Sequence, residues 1–148
     1  MTSTFELDPR LAADTHRVTQ WPLCDVLLMD DARYPWLILV PRVAQARDLI
    51  DLIDLDAPAR MQLQQEVDVA AMALRDVFAP DKLNVASLGN VVAQLHIHVI
   101  ARFRDDDAWP APVWGAHPRI PRDAAARDSL LHRLRPALPL FTFKEYIA

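Results

Sequence analysis

Glycine is scarce in this chain, at 2 of 148 residues, and cysteine is scarcer, with Cys24 alone. A single thiol makes no internal disulfide. With no metal-ligand spacing around it, it defines no zinc site either, so Cys24 reads as a small buried strand residue. No apolar run approaches the roughly 18 residues that a membrane span needs. Met1-Thr2-Ser3-Thr4-Phe5-Glu6 lacks the basic flank and apolar core of a secretory signal, so a soluble cytoplasmic protein is expected. Lysine is limited to Lys82 and Lys144, the net charge is −4, and the arginines form no block. Binding nucleic acid without regard to sequence takes many phosphate contacts, so no nucleic-acid partner and no membrane partner are expected. A small phosphorylated ligand needs only a few local donors. Internal repeats and low-complexity segments are missing too.

What is present suits one domain over residues 1–148. Hydrophobic residues make up 52% and charged ones 24%, ordinary for a chain that buries a modest core. Asp8 and Pro9 form a helix-start signal, and Trp21-Pro22 breaks any continuation. Residues 23–29 and 36–40 read as two apolar strands joined through the acidic turn Asp30-Asp31-Ala32-Arg33, a hairpin with Pro35 and Pro41 at the strand ends. A short helix is expected over 46–53, because Leu49, Ile50 and Ile53 have helical spacing. Asp56 and Pro58 then open a longer helix, with Leu63, Val67, Ala70, Leu74 and Val77 recurring until Pro80 stops it. Residues 82–87 read as a strand and Leu88-Gly89-Asn90 as a turn. Residues 104–118, with Asp105-Asp106-Asp107, read as an ordered surface loop, whose Trp109 and Trp114 could close over a substrate or cover a dimer seam. Asp123 can cap a last helix over 124–135, and the apolar tail 138–143 needs cover.

The stretch Gln94-Leu95-His96-Ile97-His98-Val99-Ile100 alternates polar and apolar residues and continues to about Arg104. Alternation predicts a half-buried strand with Leu95, Ile97 and Val99 on the core face. Gln94, His96 and His98 then share the other face, the two imidazoles roughly 7 Å apart at the backbone.

This pattern resembles the histidine triad (HIT) family, whose motif is His-φ-His-φ-His-φ-φ with φ apolar. Gln94 stands in place of the first histidine. The resemblance extends over about residues 5–105, to Trp36-Leu37-Ile38-Leu39-Val40-Pro41-Arg42, to Leu83-Asn84-Val85 and to Gly89-Asn90. It implies an α+β fold: an antiparallel sheet of about five strands with the long helix on one face, commonly paired into a homodimer. It implies nucleotide hydrolase or transferase chemistry with no cofactor and no metal. His96 would attack the α-phosphorus through Nε2 while its Nδ1–H is held by the carbonyl of residue 94. His98 would contact phosphate oxygens and support the departing group. Asn84 and Asn90 fall near the family's phosphate contacts, Asp31 (or Asp30 beside it) near its ribose carboxylate, and Leu28 with Met29 near its apolar wall for the base. Trp36 occupies a position where many members carry a histidine.

Outside that resemblance, two side-by-side histidines are ordinary polar positions on a sheet, and asparagines and aspartates populate turns for local reasons. His16, His117 and His132 read as surface residues. A His-x-His metal site in a small β-barrel would want a nearby glutamate and glycine-rich turns, and the chain has only Glu6, Glu66 and Glu145. The expected function is therefore hydrolysis of a diadenosine polyphosphate or related nucleotide through a nucleotidyl-histidine. The alternatives are a nucleotidyltransferase, or a nucleotide-binding protein without turnover.

Overall fold

The computed structural model describes residues 4–138. Helix α1 (Pro9–Asp14) opens where the sequence places it: the Asp8 carboxylate accepts the Arg10 N–H and Pro9 fills the first turn. The chain then passes directly into strand β1 (Thr15–Gln20), which the sequence reading omits. This edge strand is half-exposed, mostly polar and bulged between Arg17 and Thr19, so it carries no clean alternation to read. Strands β2 (Cys24–Met29) and β3 (Trp36–Pro41) form the expected hairpin, with Cys24 opposite Pro41 and Leu28 opposite Leu37.

Residues 46–53 do not form the expected helix. A 3-10 turn (Leu49–Asp51) leads into the single turn α2 (Leu52–Leu55). The Asp51 carboxylate holds the Arg47 and Asp48 N–H groups, and Leu52 turns inward while Leu49, Ile50 and Ile53 stay exposed. Helix α3 (Ala57–Phe78) is capped by Asp56 and ends at Ala79, in the left-handed conformation before Pro80. Strands β4 (Lys82–Ser87) and β5 (Ile97–Arg102) complete an antiparallel sheet of order β1-β2-β3-β5-β4. The motif strand thus starts at Ile97 rather than Gln94. Pairing to both neighbours ends there, at Leu39 and Ser87, although β3 itself continues to Pro41, and the Leu95 N–H turns aside to the Ala46 carbonyl at 3.0 Å. Helix α4 (Ala124–Leu134) is capped by Asp123, and the expected apolar tail lies almost wholly outside the described residues. No helix among those residues is long and apolar enough to cross a membrane.

The strands alternate between two separate cores. On one face, Cys24, Val26, Leu28, Leu37, Leu39, Ile97, Val99 and Ala101 pack under Leu63, Val67, Ala70 and Leu74 of α3 and Leu131 and Leu134 of α4. Each leucine, isoleucine or valine among them contributes about 1.5–3 kcal/mol by leaving water. Within this apolar layer Glu66 is fully buried, its carboxylate accepting the Leu23 and Cys24 N–H groups at 3.1 and 2.9 Å. On the other face, Leu27, Trp36, Ile38, Val40 and Ile100 pack with Leu11, Tyr34, Ala108 and Val113. The expectation of a half-exposed histidine face is corrected here: His96 and His98 are each only 5% exposed. Residues 5–11 and the loop after β5 roof them.

Candidate active site

After β4 the chain turns sharply at Leu88-Gly89-Asn90 and returns beneath His96. A side chain at Gly89 would put its Cβ 2.6 Å from the Val92 carbonyl oxygen and 3.2 Å from His96 Cε1. Only glycine lets the backbone lie against the imidazole there.

The His96 Nδ1 stands 2.6 Å from the Gln94 carbonyl oxygen. A carbonyl only accepts, so Nδ1 carries the proton, and in the neutral ring Nε2 keeps its lone pair. His98 is held at both nitrogens. Its Nε2–H donates to the Leu88 carbonyl at 3.0 Å, and the Trp36 indole N–H donates to its Nδ1 at 3.0 Å. One donor and one acceptor on opposite nitrogens define a neutral imidazole. Burial drives its pKa down to about 4, and neighbouring His96 adds to this against the opposing pull of the Leu88 carbonyl. The rings of His96 and His98 meet edge to face with centroids 4.8 Å apart, and Trp114 packs on His98 at 5.0 Å.

Both polar atoms of the Gln94 side chain are engaged. Its Nε2–H donates to the Glu6 carbonyl and its Oε1 accepts the Asp8 N–H, at 2.8 and 2.9 Å, so the amide pairs with the backbone of the N-terminal segment. Arg10 ties that segment to the Val91 carbonyl at 2.8 Å. A cleft of about 290 Å³ remains open beside His96, lined by Arg47, Asp48, Ser87, Gly89, Asn90, Ala93 and Gln94. Of the two imidazoles, only His96 opens onto it.

Asn90, Gln94 and His96 are therefore brought together, while other expected residues are not. His98 has no free ring nitrogen to offer a phosphate. Asn84 lies on the histidine face, but its Oδ1 accepts from Arg102 at 2.8 Å. Asp31 is buried and grips Arg33 through both carboxylate oxygens, at 3.1 and 3.0 Å, and it does not line the cleft. Asp30 anchors Arg119, the Arg122 N–H and His16, which is thus a paired residue rather than a free surface one. Leu28 is a correction: it is fully buried on the α3 side of the sheet, and Leu27 is the residue that faces the histidines' side. Register decides this, because neighbouring strand residues point to opposite faces.

Three features escaped the sequence reading. The run Asp105-Asp106-Asp107 is not simply solvated, because Asp106 accepts from Arg102 at 2.7 and 3.0 Å and from the Phe103, Ala108 and Trp109 N–H groups. Burial alone would raise the Asp106 pKa. The Arg102 side chain and the backbone donors outweigh it and hold the carboxyl at about 2. Trp109 lies against the Arg102 guanidinium and Trp114 against His98, so both tryptophans close the histidine face of their own chain. Arg47 and Ser87 line the cleft from distant segments, and no local pattern marks them.

A five-stranded antiparallel sheet carrying a His-x-His strand against a glycine turn is the architecture of histidine triad proteins. The HIT domain model matches residues 10–105, and the chain belongs to the HIT family. It is similar to the solved structure of a histidine triad protein from Marinobacter aquaeolei VT8, with 43% identity, coverage of 92% of this chain and 97% of that one, and a TM-score of 0.87. A histidine triad protein from Bradyrhizobium japonicum is 42% identical over 93% of this chain and all of its own, with a TM-score of 0.87. One from Sinorhizobium meliloti 1021 is 37% identical over 91% and 98%, with a TM-score of 0.86. No curated protein matches the chain.

Proposed function

We propose that this HIT protein is a nucleotide phosphohydrolase that cleaves a diadenosine polyphosphate or a related nucleoside phosphate through His96. The observation that carries this reading is the state of the ring: Nδ1–H held on the Gln94 carbonyl, a lone pair left on Nε2, and the imidazole at the wall of a polar cleft. Nε2 attacks the α-phosphorus, the bond from phosphorus to the leaving-group oxygen breaks, and that oxygen departs with the electron pair. The product is a nucleotidyl-histidine, which water then attacks, returning the imidazole and a nucleoside monophosphate. Ser87 and Asn90 are the uncharged donors nearest to hand for the phosphoryl oxygens. His98 acts as a positioning residue, bracing the Leu88 backbone and the His96 ring.

The test is product formation from diadenosine tetraphosphate, adenosine 5′-phosphoramidate and a sugar nucleotide, with wild type beside His96→Ala. Turnover should drop by about a thousandfold or more in the variant while nucleotide still binds. A phosphate acceptor that captures the nucleotidyl group faster than water would make the protein a transferase by the same first step. The locked neutral His98 favours one other reading, nucleotide binding without turnover, because it withholds a proton donor from the leaving group. Measurable binding with no product from any substrate in the panel would select it.

We also propose a homodimer that joins β4 to β4. Among the described residues that strand has no neighbour on its outer side, and Val85 is 50% exposed on it, with Val91 80% exposed just beyond. Light scattering should give twice the chain mass of 16.8 kDa, and a monomer at micromolar concentration would exclude the pairing.

A further inference from the structure

We propose that Arg47 is the residue that recognises the leaving group, so that the cleft beside His96 selects substrates whose departing half is a phosphate chain rather than a neutral group. This rests on the reading of His96 as the nucleophile.

The argument is one of charge. A polyphosphate brings several negative charges to the site, and the charge on the departing oxygens grows as the bond breaks. The motif strand supplies no cation to meet it. His98 is a neutral ring saturated by Leu88 and Trp36. Gln94 replaces an imidazole with an amide that is already paired to the N-terminal segment. Arg102 is buried and spent on Asp106. Among the described residues Arg47 is the one arginine or lysine that lines the cleft, it is exposed, and no ion pair engages its guanidinium.

Its backbone N–H donates to the Asp51 carboxylate at 2.9 Å, which fixes the stem; that carboxylate also attracts the guanidinium charge without forming an ion pair with it. A guanidinium can bind phosphate oxygens bidentately, with the geometric selectivity that a point charge lacks. Asp48 lies on the same rim and its carboxylate opposes an anion there. The two residues are therefore expected to act with opposite sign.

The experiment compares two substrates that share the adenosine 5′-phosphoryl half: diadenosine tetraphosphate, whose leaving group carries three phosphates, and adenosine 5′-phosphoramidate, whose leaving group is ammonia. The ratio of their kcat/KM values is measured for wild type, Arg47→Ala, Arg47→Lys and Asp48→Asn over a range of salt. The ratio should fall by about tenfold or more in Arg47→Ala, recover in part in Arg47→Lys, and rise in Asp48→Asn, with the differences shrinking as salt increases. An equal loss on both substrates in Arg47→Ala, or an unchanged ratio, overturns the proposal. If wild type turns over neither substrate, the hydrolase reading alone fails, and Arg47 is then judged by binding. Preference for adenosine 5′-diphosphate over the monophosphate should vanish in Arg47→Ala, and its persistence overturns the assignment.

Discussion

The sheet face that carries Leu37, Leu39, Val99 and Ala101 is closed by α3 and α4 with apolar side chains. The face that carries His96, His98 and Arg102 is closed instead by mostly irregular segments that contribute a smaller apolar cluster, Leu11, Ala108 and Val113 among it, and are tied down with hydrogen bonds and ion pairs. Gln94 and Arg10 hold residues 6–10 in place. Arg102 and Asp106 hold the loop that delivers Trp114, and Asp30 holds the chain at Arg119 and Arg122. The apolar closure is non-directional and tolerates small adjustments, whereas the polar one works only in a single geometry. The two imidazoles lie on the face closed in the second way, each with its tautomer fixed by backbone or indole partners.

The largest effect expected from breaking the polar closure comes at Asp106. Asp106→Ala leaves the Arg102 guanidinium buried without its carboxylate, with only Asn84 and the Ala111 carbonyl as hydrogen-bond partners among the described residues. We expect a loss of about 3–5 kcal/mol in denaturant unfolding. Amide hydrogen exchange should rise across residues 103–114 more than in α3. Uniform loosening of both faces would show that they are not closed independently.

A smaller effect sharpens the comparison through pH. His98 is neutral in the folded protein down to about pH 4, whereas an unfolded histidine takes up its proton near 6.5. The unfolded chain therefore binds the extra proton between those values, and stability should fall by up to roughly 3 kcal/mol as pH drops from 6.5 to 4. A further loss belongs to Asp106, whose lowered pKa contributes stability above about 3.8 that is surrendered as pH falls towards 2. Trp36→Phe keeps much of the ring but removes the donor that favours neutral His98. Its folded pKa should rise towards the ordinary value, the fall between pH 6.5 and 4 should become shallower, and stability at pH 7 should drop by about 1 kcal/mol. Urea unfolding at pH 7 and pH 4.5 reads the His98 and Trp36→Phe effects, a further measurement at about pH 2.5 reads Asp106, and an unchanged pH slope in Trp36→Phe would show that the indole does not govern His98.

The contrast between the faces also marks what could be read in advance. The periodicity of Leu63, Val67, Ala70 and Leu74 and the apolar hairpin strands made the helix-covered half legible, because burial against a flat partner imposes a regular spacing. Strand β1 stayed hidden for the opposite reason: it is a polar, bulged edge. The helical spacing of Leu49, Ile50 and Ile53 misled, since the Asp51 carboxylate draws the backbone into a tighter turn around Leu52. In the candidate site, the motif drew attention to His96 and to the residue 94 carbonyl. Leu28 fell to a one-residue error of face, Asp31 to a local grip on Arg33, and the free state of His98 to an indole donated from a neighbouring strand.

By itself the sequence determined the family, the antiparallel sheet with its long helix, and the motif stretch on which two imidazoles share a face. These follow from local order and period-two or period-3.6 patterning. Only the tertiary structure decided which imidazole keeps an open nitrogen, what occupies the Gln94 amide, and that Arg47 shares a cleft with His96. Each of those depends on groups far apart in the chain, whose hydrogen-bond partners are fixed only when both faces of the sheet have closed.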